Sequence, residues 1–97
     1  MSEDREVTAA RGRRAQELLD DDLLKDAFKA LEEGYVSAWR TTAVDNVTGR
    51  EKLFLAINVV GKVKDHLTKV AADGRLAAAE IKAMADEHER RKRFGIL

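Results

Sequence analysis

The chain of 97 residues contains no cysteine and no proline. Without cysteine there is no disulfide framework and no cysteine-based metal site. Without proline, no helix is interrupted by a residue that lacks a backbone donor. Aromatic side chains are scarce at 5% of the residues. A small domain of this kind buries a modest core, so a second copy of the chain is a natural source of further burial.

Net charge is also absent, since 18 Lys and Arg residues balance 18 Asp and Glu residues. The whole-molecule charge therefore gives no reason to expect nucleic acid, and only a local cluster would. No run approaches the roughly 18 apolar residues of a membrane span, and the first residues lack the basic-then-apolar order of a secretory signal. These absences predict a cytoplasmic protein that does not contact a membrane.

Residues that could support catalysis are few and poorly spaced. His66 and His88 are too far apart for the i, i+4 pair typical of a helical zinc site. The adjacent aspartates at positions 20–22 favour helix capping over metal binding, because they lack the spacing and the turn glycine of a hard-cation loop. We therefore predict no catalytic, cofactor-binding or metal-ligating residue, no cofactor and no enzyme activity.

The longest apolar-periodic run extends from Thr48 to Ala72 and predicts a central helix. It opens with a T-x-x-E pattern from Thr48 to Glu51, which is typical of a helix start. Two apolar stripes follow, and together they cover more of the helix than one partner helix needs. The first consists of Leu53, Ile57, Val60, Leu67 and Ala71, and the second of Ala56, Val59, Val63 and Val70.

A second amphipathic helix is predicted over 22–40, with an apolar stripe of Leu24, Phe28, Leu31, Tyr35 and Trp39. The short connection that follows is rich in turn-forming residues. A short connection between two amphipathic helices folds them back on each other. The sequence thus predicts an all-α fold built on an antiparallel hairpin of about 22–40 and 49–72.

Flanking segments complete a single helical domain over 1–97. Residues 1–19 are predicted to form a peripheral N-terminal helix. The pair Asp73-Gly74 is interpreted as a helix stop, followed by a fourth, alanine-rich helix. Residues 86–97 are predicted to form a charged, mobile tail. Because one hairpin partner cannot cover both stripes, we expect a homodimer or higher oligomer that uses the face of Ala56, Val59, Val63 and Val70.

Two basic clusters leave two interpretations open. The first comprises Arg11, Arg13 and Arg14, and the second comprises Arg90, Arg91, Lys92 and Arg93. Either cluster is compatible with contact to nucleic-acid phosphates or an acidic partner. The other interpretation, which the composition favours, is that the first is a solvated helix face and the second a helix C-terminus, where cations are favoured by the helix dipole.

The segments LLDDDLLKDAF, TGREKLFLAINVVGKVKDHL and DGRLAAAEI, with the aromatic stretch around Tyr35 and Trp39, carry a resemblance over about 16–81. This part of the chain resembles small helical proteins of tailed-phage and prophage head and DNA-packaging gene sets. The resemblance implies a non-enzymatic assembly or packaging accessory protein with a protein partner, present in the host cytoplasm or associated with the virion. The alternatives are a regulatory module that binds a host factor and a small DNA-binding protein that uses its basic ends.

Overall fold

The computed structural model describes the backbone of residues 2–95 and the side chains of residues 4–95. Over this range it contains three α-helices and no strand: α1 (Ser2–Asp20), α2 (Asp22–Thr41) and α3 (Val47–Arg93). The all-α prediction is confirmed. Residues 1, 96 and 97, which belong to the predicted N-terminal helix and the predicted tail, lie outside the described residues.

Helix α2 begins where the aspartates predict it. The Asp21 carboxylate accepts a hydrogen bond from the backbone N–H of Leu24 at 2.8 Å, and Asp21 itself is extended. This is the side-chain N-cap that satisfies one of the free donors of the first turn. At the other end, the Thr42 N–H donates to the Ala38 carbonyl at 3.0 Å. The predicted range of 22–40 differs from the observed one by a single residue.

Helix α3 begins at Val47, two residues before the predicted start at position 49. The Gly49 N–H donates to Oδ1 of Asn46 at 3.0 Å, and the Arg50 N–H donates to the Asn46 carbonyl at 3.0 Å. Asn46 is therefore the N-cap, and the interpretation of Thr48 as the cap was wrong. The side chain of an asparagine two residues upstream already accepts from one free donor of the first turn, so Thr48 lies inside that turn.

The predicted helix stop at Asp73-Gly74 was also wrong. Helix α3 runs without interruption to Arg93, so the predicted fourth helix is the second half of α3. Among the described residues the glycine with positive φ is Gly95, at 71°, and its N–H donates to the Lys92 carbonyl at 3.2 Å. A left-handed glycine closes a helix, and here that glycine is Gly95.

The chain divides into two units, here called the crossing unit (Met1–Gln16 with Thr68–Leu97) and the hairpin unit (Glu17–Leu67). In the crossing unit α1 packs against α3 through small residues. The fully buried positions of the described chain are Ala9, Gly12, Ala15, Ala71, Gly74 and Ala77. Both helices thus present the pattern A-x-x-G-x-x-A, and the helix predicted to be peripheral supplies half of these positions.

The backbones approach very closely at this crossing. A Cβ atom built on Gly12 would lie 3.1 Å from the amide nitrogen of Gly74 and 3.1 Å from the Val70 carbonyl oxygen. The two helices run antiparallel, because Arg5 near the start of α1 pairs with Glu80 at 2.8 Å, whereas Gln16 accepts from Arg75 at 3.1 Å. This close contact requires a residue without a side chain at position 74, which explains the presence of a glycine inside helix α3.

In the hairpin unit, α2 and the first part of α3 are antiparallel neighbours. The guanidinium of Arg50 lies 4.6 Å from the centroid of the Trp39 ring, and Nζ of Lys64 lies 3.1 Å from Oε1 of Glu32. The C-terminal end of α2 therefore meets the N-terminal end of α3. No residue described between 17 and 67 is fully buried, so this unit leaves much of its apolar surface uncovered.

Candidate self-association surface

The four residues predicted for self-association fall into both units. Ala56, Val59 and Val63 belong to the hairpin unit, whereas Val70 belongs to the crossing unit. Val59 is 58% exposed and Val63 is 48% exposed, while Ala56 and Val70 are half-buried. Three of the four residues therefore lie on the surface of one helix in the hairpin unit.

The orientation of this surface follows from the contacts between α2 and α3. Three interactions join the helices: Arg50 of α3 lies over the Trp39 ring, and Lys64 of α3 lies near the Phe28 ring and pairs with Glu32. On each helix the residues involved lie along one stripe, because successive residues turn by about 100°. These two stripes define the line along which the helices meet and the two faces on either side of it.

One of these faces is apolar on both helices. Successive residues are about 100° apart around a helix. Viewed from the N- to the C-terminus, Val59 and Val63 are displaced from the α3 stripe in one direction around the axis, and Leu31 and Gly34 are displaced from the α2 stripe in the same direction. Because the two helices run in opposite directions, residues displaced in the same direction around each axis lie on the same face of the hairpin. This face, here called the apolar face, consists of Leu23, Ala27, Leu31, Gly34 and Ala38 of α2 with Ala56, Val59 and Val63 of α3.

The α2 half of the apolar face escaped the sequence analysis. Leu23 is 80% exposed and Leu31 is 45% exposed, although a single stripe through Leu31 was expected to lie in the hairpin core. The i, i+4, i+8 spacing of Leu23, Ala27 and Leu31 was the available signal. It was missed because the larger side chains of Phe28, Tyr35 and Trp39 dominate the periodicity of this helix.

The opposite face of the hairpin is charged. It carries Lys25, Lys29, Glu33 and Arg40 on α2 and Asp65 on α3, all exposed. Leu18 and Leu19 at the end of α1 share a surface depression with Lys25 and Lys29 on this side. The α1 residues of the hairpin unit thus lie on the charged side and not on the apolar face.

A second exposed apolar group, here called the connection patch, lies where α2 leads into α3. Trp39, Val44, Val47 and Phe54 line one surface depression with Arg50. Nη1 of Arg50 donates to the carbonyls of Trp39 and Thr42, both at 3.2 Å. Arg50 therefore holds the last turn of α2 against the first turn of α3, a role that the sequence analysis did not assign.

The basic residues do not form one surface within the chain. Arg11, Arg13 and Arg14 are exposed on α1, and Arg13 shares a depression with Gly74 and Arg75. The residues Arg90, Arg91, Lys92 and Arg93 are exposed on α3. At about 1.5 Å per residue, Arg90 lies roughly 22 Å along the helix from Arg75. In addition, Arg90 and Arg91 both pair with Glu87, the latter at 3.0 Å.

His66, His88 and the aspartates Asp20, Asp21 and Asp22 are exposed. Within the described range, no group of three or more His, Cys, Asp or Glu side chains is arranged to hold a metal ion. Nor does any helix in residues 2–95 combine the length and the apolar content needed to cross a membrane.

Comparison of the chain with models of protein families, with curated proteins and with solved structures gives no match. Functional inference therefore depends on the surfaces described above. Of these, the apolar face contains the most apolar residues.

Proposed function

We propose that this chain is a non-enzymatic protein that acts through helix-mediated self-association and through binding of a protein partner. The hairpin of α2 and α3 is its interaction module, and oligomerisation completes the fold. We further propose that it serves as an assembly or DNA-packaging accessory protein of the phage or prophage type, a role that rests on the resemblance of residues 16–81.

The observation that carries the self-association proposal is the accessible surface. The chain exposes 7656 Å². A folded monomer of 10.8 kDa is expected to expose about 5,500 Å², so the excess is about 2,100 Å². Obligate homodimers bury about 2,000–5,000 Å² in total, or about 1,000–2,500 Å² per chain. The excess therefore matches the surface that one chain loses on forming such an assembly.

The character of the exposed residues supports the same proposal. Large apolar side chains are exposed on all three helices, among them Val7, Leu23, Val59 and Leu76. No large side chain of the described residues is fully buried. Scattered apolar residues are normal on a surface, but a contiguous apolar face marks an interaction site. Association with another copy would remove this surface from water and stabilise the helices that carry it.

Light scattering coupled to size-exclusion chromatography, at chain concentrations of tens of micromolar, tests self-association. We expect a mass at least twice 10.8 kDa. A monomer at these concentrations would contradict the proposal. A pull-down from cells that carry the phage or prophage tests the second part: recovery of capsid or packaging proteins supports the assembly role, and recovery of a host regulatory factor contradicts it.

A further inference from the structure

We infer that the apolar face of the hairpin unit is the surface on which a second copy of this chain docks, with two-fold symmetry. This inference rests on the proposed self-association and adds the surface that mediates it. Two hairpins that stack their apolar faces form a bundle of four helices, the usual arrangement for amphipathic helical hairpins. In a two-fold dimer the same face of each chain meets its copy.

The charge pattern is the first argument. Charged residues make up 37% of the chain. On the side of the hairpin that carries the apolar face, however, α2 has no charged residue, and α3 has Lys52 near the connection end of the hairpin. Charge depletion at the centre of a patch distinguishes a protein interface from ordinary surface. Because the face has almost no charge, it has nothing to repel an identical face.

Gly34 provides the second argument. It lies within α2 on the apolar face, and a Cβ atom built there would meet no atom within 4 Å beyond the local backbone of α2 and its neighbours in the chain. A glycine inside a helix costs about 1 kcal/mol relative to alanine. Gly61 of α3 is equally free of contacts, and Gly34 differs from it by its position on the apolar face. At Gly12 and Gly74 the same residue type allows two helices of this chain to cross closely. Gly34 would likewise allow a helix of the partner to cross the apolar face closely.

The required area is the third argument. A standard interface buries about 800 Å² per partner. The excess surface of the whole chain is more than twice this amount, so the chain has enough surplus surface for an interface of standard size. The residues to be covered are Leu, Val, Ala and Gly, which pack closely between helices and leave no buried polar side chain unpaired.

Val59 and Phe54 provide a matched test. Both are 58% exposed, and both lie on α3. They are five residues apart, which places them roughly 140° from each other around the helix. Val59 is on the apolar face, whereas Phe54 is in the connection patch. Val59→Glu would bury a carboxylate twice in a two-fold interface, and we expect it to weaken the dimer by about 100-fold or more. Phe54→Glu should leave the dimer unchanged.

Sedimentation equilibrium on the full chain measures both effects, with circular dichroism as the check that the variants remain helical. If Val59→Glu loses its helicity, single-cysteine variants replace it, since the chain has no cysteine of its own. The alkylation rate of Val59→Cys should then fall as chain concentration rises, while that of Phe54→Cys stays constant.

The outcomes separate this inference from the proposed function. A wild-type monomer contradicts both. An oligomer that Phe54→Glu dissociates and Val59→Glu does not overturns the inference alone, and it places the interface at the connection patch. Equal protection of both cysteines, or of neither, also overturns it.

Discussion

A Cβ atom built on Gly12 would lie 2.5 Å from the Cα of Gly74, and one built on Gly74 would lie 2.5 Å from the Cα of Gly12. Helices α1 and α3 therefore touch backbone to backbone at this point. Side chains relieve a close contact by changing rotamer, but a backbone in the middle of a helix has no such freedom. The contact depends on hydrogen atoms in place of side chains at both positions.

Gly12→Ala is expected to destabilise the protein. Alanine raises the helix propensity of α1 by about 1 kcal/mol, but the new methyl group overpacks the crossing at a cost of about 1–3 kcal/mol. The free energy of unfolding should fall by up to about 2 kcal/mol in urea denaturation at a fixed chain concentration. The control is Gly61→Ala, because a Cβ there meets no atom within 4 Å. Equal stability of the two variants would show that the crossing is not formed in solution.

Gly34→Ala should act differently. A Cβ atom at this position also meets no atom within 4 Å. The substitution therefore raises the helix propensity of α2, and the isolated chain gains up to about 1 kcal/mol of stability. If a partner helix crosses at this glycine, the dimer should nevertheless weaken. Comparing the dissociation constants of Gly34→Ala and Gly61→Ala by sedimentation equilibrium checks this. A stronger dimer for Gly34→Ala would mean that no helix approaches closely at this position.

Asp21→Ala should lower the free energy of unfolding by about 0.5–2 kcal/mol, because the Leu24 N–H loses its side-chain acceptor. Asp22→Ala is the natural comparison. Asp22 lies in the first turn of α2 and keeps only the favourable interaction with the helix dipole, at about 0.3–1 kcal/mol. Thermal unfolding followed by circular dichroism measures both losses of stability. A larger loss for Asp22→Ala would show that Asp22, and not Asp21, caps the helix.

Arg50→Met should loosen the connection between α2 and α3. The substitution removes the cation from the face of the Trp39 ring and two hydrogen bonds from the carbonyls at the end of α2. We expect a loss of about 1–3 kcal/mol. Trp39 is the single tryptophan, so its fluorescence reports this site directly. Lys62→Met, an exposed substitution on the same helix, should leave the emission unchanged; an identical spectrum for both variants would argue against the stacked arrangement.

The basic C-terminal segment should contribute little to the binding of duplex DNA. Glu87 pairs with Arg90 and Arg91, which reduces the positive field that a phosphate would meet. Fluorescence anisotropy with duplex DNA, for the intact chain and for a chain that ends at Glu89, should therefore show similarly weak binding. Strong binding by the intact chain alone, falling with salt at a logarithmic slope of about 0.9 per neutralised phosphate, would support the DNA-binding alternative.

The sequence predicted the features of the fold that depend on local chemistry. The range of α2 and the capping role of the aspartates follow from apolar periodicity and from side chains that accept backbone hydrogen bonds. The predicted start of α3 is wrong by two residues because the side chains of both Asn46 and Thr48 are able to cap a helix. The backbone conformation of the connection decides which of the two does so.

The misinterpretation of Gly74 has a different origin. An Asp-Gly pair suits both the end of a helix and the interior of a helix that another helix crosses, and only the partner distinguishes them. That partner, Gly12, is 62 positions away in the sequence. The repeated A-x-x-G-x-x-A pattern around the two glycines was the available signal. It was overlooked because apolar periodicity gives weight to large side chains and little to alanine and glycine.

The pairing of two glycines also restricts how this crossing can change during evolution. At most contacts in a protein core, an enlarged side chain on one element is accommodated by a smaller one on its neighbour. Here neither neighbour can become smaller, because both positions already carry the smallest residue. A substitution at Gly12 has no compensating substitution at Gly74, and the reverse is equally true. The two positions must therefore be retained together, or the helices must separate.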